Sequence, residues 1–432
     1  MFYQIERFFQ LRANHTSIKT EVLAGLATFL TMSYIIFVNP GMLAQTGMDE
    51  GAVFVATCLS AAFGCTLMGL LANYPIALAP GMALNAYFTY GVVLGAGRSW
   101  QSALGAVFIS GLIFLAISIL PIREYIVNCI PKSLKLAIVA GIGLFLGVIG
   151  LKNAGIIIAS QATLVKLGNL HDPKTLLAIA GFMLIIGFEA LHLAGAVIIS
   201  ILLVTIASIL FGYSDFFGVF SIPPSILPTF MQLDVKAALS LGLATIVFAF
   251  LFVDLFDNTG TLIGIAYRAG FMTKDGKLPR ISRALLADST AAVAGAVLGT
   301  STTTSYLEST VGVNMGARTG LMAITVAVLF LLATFISPLA KSIPIYATAP
   351  VLVYVACLMT HAITEIDWND VTEYAPAMIT VITMPLTFSV SDGIAFGFIT
   401  YVMVKMLSGR FRELNPAIFV LAMAFIFKYV LM

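Results

Sequence analysis

Apolar stretches of roughly the length a helix needs to cross a hydrocarbon layer follow one another along this whole chain. A bilayer core about 30 Å thick takes roughly 20 helical residues. Stretches of that order lie near 21–39, 50–72, 102–120, 133–150, 174–189, 192–212, 236–257, 283–298, 319–339, 346–363, 372–389 and 392–407. Two shorter stretches, 81–96 and 303–316, are rich in Gly, Ser and Thr and count as the third and tenth of the series; a further apolar stretch covers 415–431. In hydrocarbon every backbone N–H and C=O must be satisfied inside the protein, which leaves helices and closed barrels as spanning structures. The expectation is an all-α polytopic membrane protein with fourteen spans and an apolar tail.

The composition agrees. The 432 residues are 60% hydrophobic and only 10% charged, with a mean hydropathy of +1.04. Soluble domains are nearer a quarter charged. A net charge of +2, without a basic run, excludes nucleic-acid binding. Cys58, Cys65, Cys129 and Cys357 are scattered, as are the four histidines, so neither a disulfide framework nor a metal site is expected. The polar segment before the first apolar run does not fit a cleavable signal, so the first span is expected to be retained.

A weak internal repeat runs through the spans. Gly25-Leu-Ala-Thr recurs as Gly242-Leu-Ala-Thr, an offset of 242 − 25 = 217. The short spans fall at nearly the same spacing, with Tyr87 set against Tyr306 at 306 − 87 = 219. Seven spans per half is an odd number, so the halves would be inverted. With the N-terminus cytoplasmic, the basic loop holding Arg268, Lys274, Lys277, Arg280 and Arg283 lies inside, as do Arg123, Lys132, Lys135, Lys405, Arg410 and Arg412. The 213–235 connection, free of Lys and Arg, lies outside, in keeping with the positive-inside rule. Lys152, Lys166 and Lys174 on the outer side fit less well.

Inverted repeats with an interrupted span in each half point to a secondary transporter whose site lies near mid-membrane, at the broken helices. "PGMALNAYFTYG" (80–91) and "GTSTTTSYLESTVGVNMG" (299–316) suit that role, and the Thr302–Thr304 run favours a short strand able to pair across the repeat axis. Carboxylates in such spans are costly, about 2.5–3.5 kcal/mol on insertion scales, and therefore mark function. Four stand out: Asp254 and Asp257 on one helical face, Asp288 in the ninth span and Glu308 in the tenth. Asn258 follows Asp257 directly, and Thr261 lies one turn on. An acid in an apolar pocket can carry a proton, whereas one receiving ligand N–H donors stays ionised. The residues alone do not divide those roles. Asn85 offers a donor and an acceptor side by side; Phe88, Tyr87 and Tyr306 offer flat faces. Gly143 and Gly147 read as a close helix contact.

The segments "PGMALNAYF", "FVDLFDNTGTLIG", "ALLADS" and "GTSTTTSYLESTVGV…GARTG" resemble the AzgA-like branch of the nucleobase–cation symporter-2 family, the adenine/guanine/hypoxanthine permeases. The similarity runs through almost the whole chain. It implies a fourteen-helix, seven-plus-seven inverted repeat with short antiparallel strands in broken helices 3 and 10. It further implies a core domain from 1–120 and 236–340, a gate domain from 121–235 and 341–432, and a homodimer formed through the gate. The implied activity is inward transport of purine nucleobases across the inner or plasma membrane with protons, by an elevator-like movement and without any cofactor. Residue by residue, Asp257 and Glu308 match the acids that hydrogen-bond the base, and Asn85 matches the polar position beside the ring. Phe88, Tyr306, Thr261 and Leu307 complete the expected substrate contacts. Asp288 loosely matches an acid tied to coupling, and Asp254 and Asn258 are grouped with it as coupling or support. Alternatives are sodium-coupled uptake, an anion carrier on the same fold, a channel, or an intramembrane enzyme. The enzyme would need a nucleophile–base pair or metal set absent from this sequence.

Overall fold

The computed structural model describes residues 2–119, 130–161, 163–239, 241–271 and 279–431, without the side chains of 2, 241–243, 256, 257, 259, 260, 263, 267, 428 and 431. Asp257, Arg123, Cys129, Lys274, Lys277 and Lys428, singled out above or lying in the regions discussed, fall outside the described residues or side chains.

An apolar sequence with well-placed caps makes helices throughout. The helices used below are α1 (Phe2–Phe9), α2 (Ile18–Met32), α3 (Ile35–Leu43), α4 (Glu50–Leu67), α5 (Met82–Ala86), α6 (Trp100–Ile119), α7 (Lys132–Asn153), α8 (Pro173–Ala190), α9 (Ala196–Leu210), α10 (Leu241–Arg268), α11 (Ile281–Leu298), α12 (Ser309–Asn314), α13 (Gly320–Ala333), α14 (Ile345–Thr360), α15 (Val371–Thr387), α16 (Val390–Leu407) and α17 (Pro416–Leu431). Ser17 caps α2 by accepting from the Thr20 amide, and Asp49 caps α4 through the Ala52 amide. Among the described residues nine helices are long and apolar enough to cross a membrane, and three shorter apolar ones accompany them.

The third and tenth spans are built differently, as their composition predicts. Each begins as a strand and continues as a helix. β1 (Leu78–Pro80) pairs antiparallel with β4 (Thr303–Ser305), placing Leu78 opposite Ser305 and Pro80 opposite Thr303. The Gly81 amide donates to the Thr302 carbonyl at 2.9 Å, and the Tyr306 amide to the Ala77 carbonyl at 2.9 Å, so the ladder extends past both strand ends. Side chains satisfy what remains: Ser309 Oγ accepts from the Ala77 amide, and Cys65 Sγ accepts from the Leu78 amide. Extended backbone thus survives inside a helical protein because each segment supplies the other's hydrogen bonds. Cys65 does more here than fill space.

Two details depart from the sequence reading. The strands start 303 − 78 = 225 residues apart, against 219 between the two tyrosines, and Tyr306 directly follows β4 whereas Tyr87 lies well beyond β1. The tyrosines are therefore not positional counterparts. A hairpin, β2 (Ile157–Ser160) against β3 (Leu164–Leu167), also joins α7 to α8, in a stretch to which the sequence reading assigned no element.

The helices pack in two sets. α2, α4, α6, α10, α11 and α13 form one, and α7, α8, α9, α14, α15 and α16 the other. Gly143 and Gly147 serve as the close contact their spacing predicts, bringing α7 onto Met359 and Ala356 of α14. The connection from 213 to 234 lies across the ends of the first set, with the Ser221, Met231 and Asp234 amides donating to the carbonyls of Phe335, Val297 and Gln101.

Candidate functional site

A cavity of about 990 Å³ lies between these two sets of helices. From the first set, Thr31 and Tyr34 reach it, together with Gly81 to Ala83 at the start of the third-span helix, Thr261 of α10 and the run Thr304–Glu308. From the second set come Val139, Glu189, His192, Val197, Tyr354 and Met359. Among its described lining residues there is no Lys or Arg.

Glu308 stands between β4 and α12, at the point where the tenth span turns from strand to helix. Its Oε1 accepts a hydrogen bond of 2.7 Å from the Tyr34 hydroxyl. Tyr34 can reach it because the first span breaks there: α2 ends at Met32, and the Ile36 and Phe37 amides bond back only three residues, to Ser33 and Tyr34. Tyr306 lies two residues before Glu308, 5% exposed, its hydroxyl donating to the Pro80 carbonyl at 2.6 Å, which pins its ring against the opposite strand. Leu307 and Thr261 also face the cavity.

Behind this wall runs a chain of buried polar groups. Asn258 Nδ2 donates to Asp254 Oδ1 at 2.7 Å, and Asn258 Oδ1 accepts from the Ser305 amide at 3.0 Å. Ser305 Oγ then donates to Asp288 Oδ1 at 2.8 Å. Asp254, Asn258 and Asp288 are fully buried. The chain joins α10 and α11 to β4, the strand that leads into Glu308, and Asp254 and Asp288 are linked to the cavity wall through β4 without lining it. On the other flank Asn39 of α3 donates to Thr57 at 2.7 Å and to Thr300 at 2.9 Å, bracing the approach to β4.

The expected contacts therefore divide. Glu308, Tyr306, Leu307 and Thr261 share one cavity. Asn85 and Phe88 are fully buried and outside its lining; Asn85 Oδ1 accepts from the Ser301 hydroxyl, while its Nδ2 has no hydrogen-bond partner among the described residues. The Asp257 side chain lies outside the described residues, one turn before Thr261 in α10. Sequence reasoning overlooked Tyr34, Glu189, His192 and Tyr354. Glu189 had a signal, a carboxylate inside an apolar span (174–189), the feature used to pick out Asp257 and Glu308.

Residues 19–396 match the model of a family described as the Permease family, Xan_ur_permease. The chain is 46% identical to the adenine permease AdeP of Escherichia coli over 99% of its own length and 96% of the relative's. It is likewise 46% identical to the guanine/hypoxanthine permease PbuG of Bacillus subtilis, covering 99% of both chains. Among solved structures, the transmembrane domain of the cyanobacterial bicarbonate transporter BicA superposes with a TM-score of 0.64 at 17% identity, covering 89% of this chain and 97% of that domain.

Proposed function

Because this chain belongs to the permease family, as a multi-pass membrane protein among nucleobase permeases, we propose that it imports purine nucleobases by proton symport. The substrates are adenine, guanine or hypoxanthine, the bases named for its relatives. The observation that carries this reading is the Tyr34–Glu308 pair on a cavity with an aromatic wall and no cationic side chain among its described lining residues. A neutral heterocycle with N–H donors suits a carboxylate acceptor, and its face suits the fixed ring of Tyr306. Asp257, one turn from Thr261, is the second acceptor in this reading, and Asn85, behind the wall, supports the approach to β4 through Ser301. The fold likeness to a bicarbonate transporter raises the anion alternative. An anion site calls for donors and positive charge, and an acidic wall opposes it.

The fourteen spans form, on this proposal, two inverted sevens. A core (1–120 and 236–340) carries Glu308, and a gate (121–235 and 341–432) supplies the opposite wall and a homodimer contact. The N-terminus is cytoplasmic. The core slides against the gate to expose the cavity on either side, and Asp288 and Asp254, linked to β4 through Ser305 and Asn258, carry or support the coupling proton. The test is uptake of labelled hypoxanthine and adenine in a transport-deficient cell. Glu308→Gln is expected to abolish uptake while the protein still reaches the membrane, and a protonophore is expected to collapse uptake by the unmodified protein. Accumulation that survives the protonophore and follows a sodium gradient would replace proton coupling with sodium coupling. Uptake surviving Glu308→Gln would remove the acid from the site.

A further inference from the structure

We propose that Glu189 and Tyr354 form the far half of the base site: a further carboxylate acceptor, on the wall opposite Glu308, that takes N–H donors from the bound heterocycle. This rests on the reading of the cavity as a nucleobase site, and no residue of the second set of helices has a role in that reading. Glu189 closes α8 and Tyr354 lies in α14, so both stand on the wall opposite β4. Both side chains line the cavity, each half-buried. The cavity thus carries a tyrosine and a glutamate on each side, Tyr34 bonded to Glu308 on one and Tyr354 with Glu189 on the other.

Two features favour Glu189 over its neighbours. Glu365 also lines the cavity, but it is ion-paired with Lys132 at 3.3 Å and so committed elsewhere. His192 and His361 are exposed, whereas Glu189 and Tyr354 are half-buried. Among the described lining residues there is no Lys or Arg to neutralise both acids, so whenever both are ionised their repulsion opposes closure of the cavity. A purine carries N–H donors on both its six-membered and five-membered edges. One base can therefore give a donor to each acid and draw the walls together. Closure then depends on a base being present.

The experiment measures uptake kinetics for labelled hypoxanthine in the full-length protein at matched membrane levels. Glu189→Gln removes a charged acceptor and is expected to raise KM by on the order of ten- to a hundred-fold. Tyr354→Phe leaves the acid but removes the hydroxyl that lines the cavity with it, and a severalfold rise is expected. The double variant should be no worse than Glu189→Gln alone, since both changes act on one unit. A KM for Glu189→Gln within twofold of the unmodified protein, in a background where Glu308→Gln abolishes uptake, overturns the inference and leaves the base site standing. Should Glu189→Gln fail to reach the membrane, an unchanged KM in Tyr354→Phe overturns it equally. Uptake that survives Glu308→Gln brings down the base-site reading itself, and this inference with it.

Discussion

Asn258 is the residue on which the position of the tenth-span strand turns, and replacing it with leucine tests that directly. Its amide accepts from the Ser305 backbone and donates to Asp254, with all three residues buried. Leucine keeps roughly the volume and removes both bonds. A buried polar group that loses its partner costs about 1–3 kcal/mol, so the two together amount to about 2–6 kcal/mol. The share falling on the Ser305 amide, about 1–3 kcal/mol, corresponds to exchange roughly 5- to 140-fold faster at a tenfold change per 1.4 kcal/mol. Hydrogen–deuterium exchange on peptides covering 303–308, in protein kept in lipid nanodiscs, reads this out. Uptake should fall in parallel, because Glu308 lies three residues past Ser305. The reasoning fails if the leucine variant stays folded and the 303–308 peptides exchange at the original rate.

Gly312 faces the first span, where an added Cβ would come within 2.5 Å of both Thr28 Oγ1 and Met322 Sδ and 3.1 Å of the Ala24 carbonyl. Gly312→Ala is therefore expected to cost about 1–3 kcal/mol through overpacking, seen as a lowered thermal midpoint and reduced uptake; an unshifted midpoint would contradict the close approach. Lys405 is fully buried in α16, bonded to Glu373 at 2.8 Å and to Glu413 at 2.6 Å. Lys405→Met strands Glu373, whose other partners are Ser133 and Tyr401, and is expected to destabilise by about 3 kcal/mol, the low end for a broken buried pair because Glu413 is half exposed. Adding Glu373→Gln should recover part of the loss. If it deepens the loss instead, the pair is not what holds α15, α16 and α7 together there.

Much of this fold follows from hydrophobic length alone. Among the described residues, the long apolar stretches are helical near their expected positions, because hydrocarbon leaves the backbone few other ways to bond. The strand of the tenth span was legible too, since the Thr302–Thr304 run resists helix, while its partner in the third span was implied by the family resemblance. What escaped was anything set by contacts distant in the chain. Nothing local says that the first span breaks at Ser33 so that Tyr34 meets an acid 274 residues away. Lys405, counted above with the cytoplasmic charges, lies buried in an ion pair. Asn85 and Phe88 show the converse: their type suits a ligand, but burial behind the wall depends on packing that residue type does not report.

The size of the cavity bears on how such a site would work. At about 990 Å³ it is at the upper end for small-molecule pockets and far larger than one bicyclic base fills. A base held only by Glu308 and Tyr306 would leave most of that space to water, which weakens each polar contact it makes. Contraction is therefore part of binding on the proposed reading. The walls belong to separately packed sets of helices, so contraction is an approach of one set to the other rather than a local rearrangement. The rigid side of that approach is well defined: β4 is held by β1, by Asn258 and by Asp288, so Glu308 is presented on a fixed frame. The opposite side offers Glu189 and Tyr354 from two different helices. A base bridging the two sides thereby reports its own presence to both.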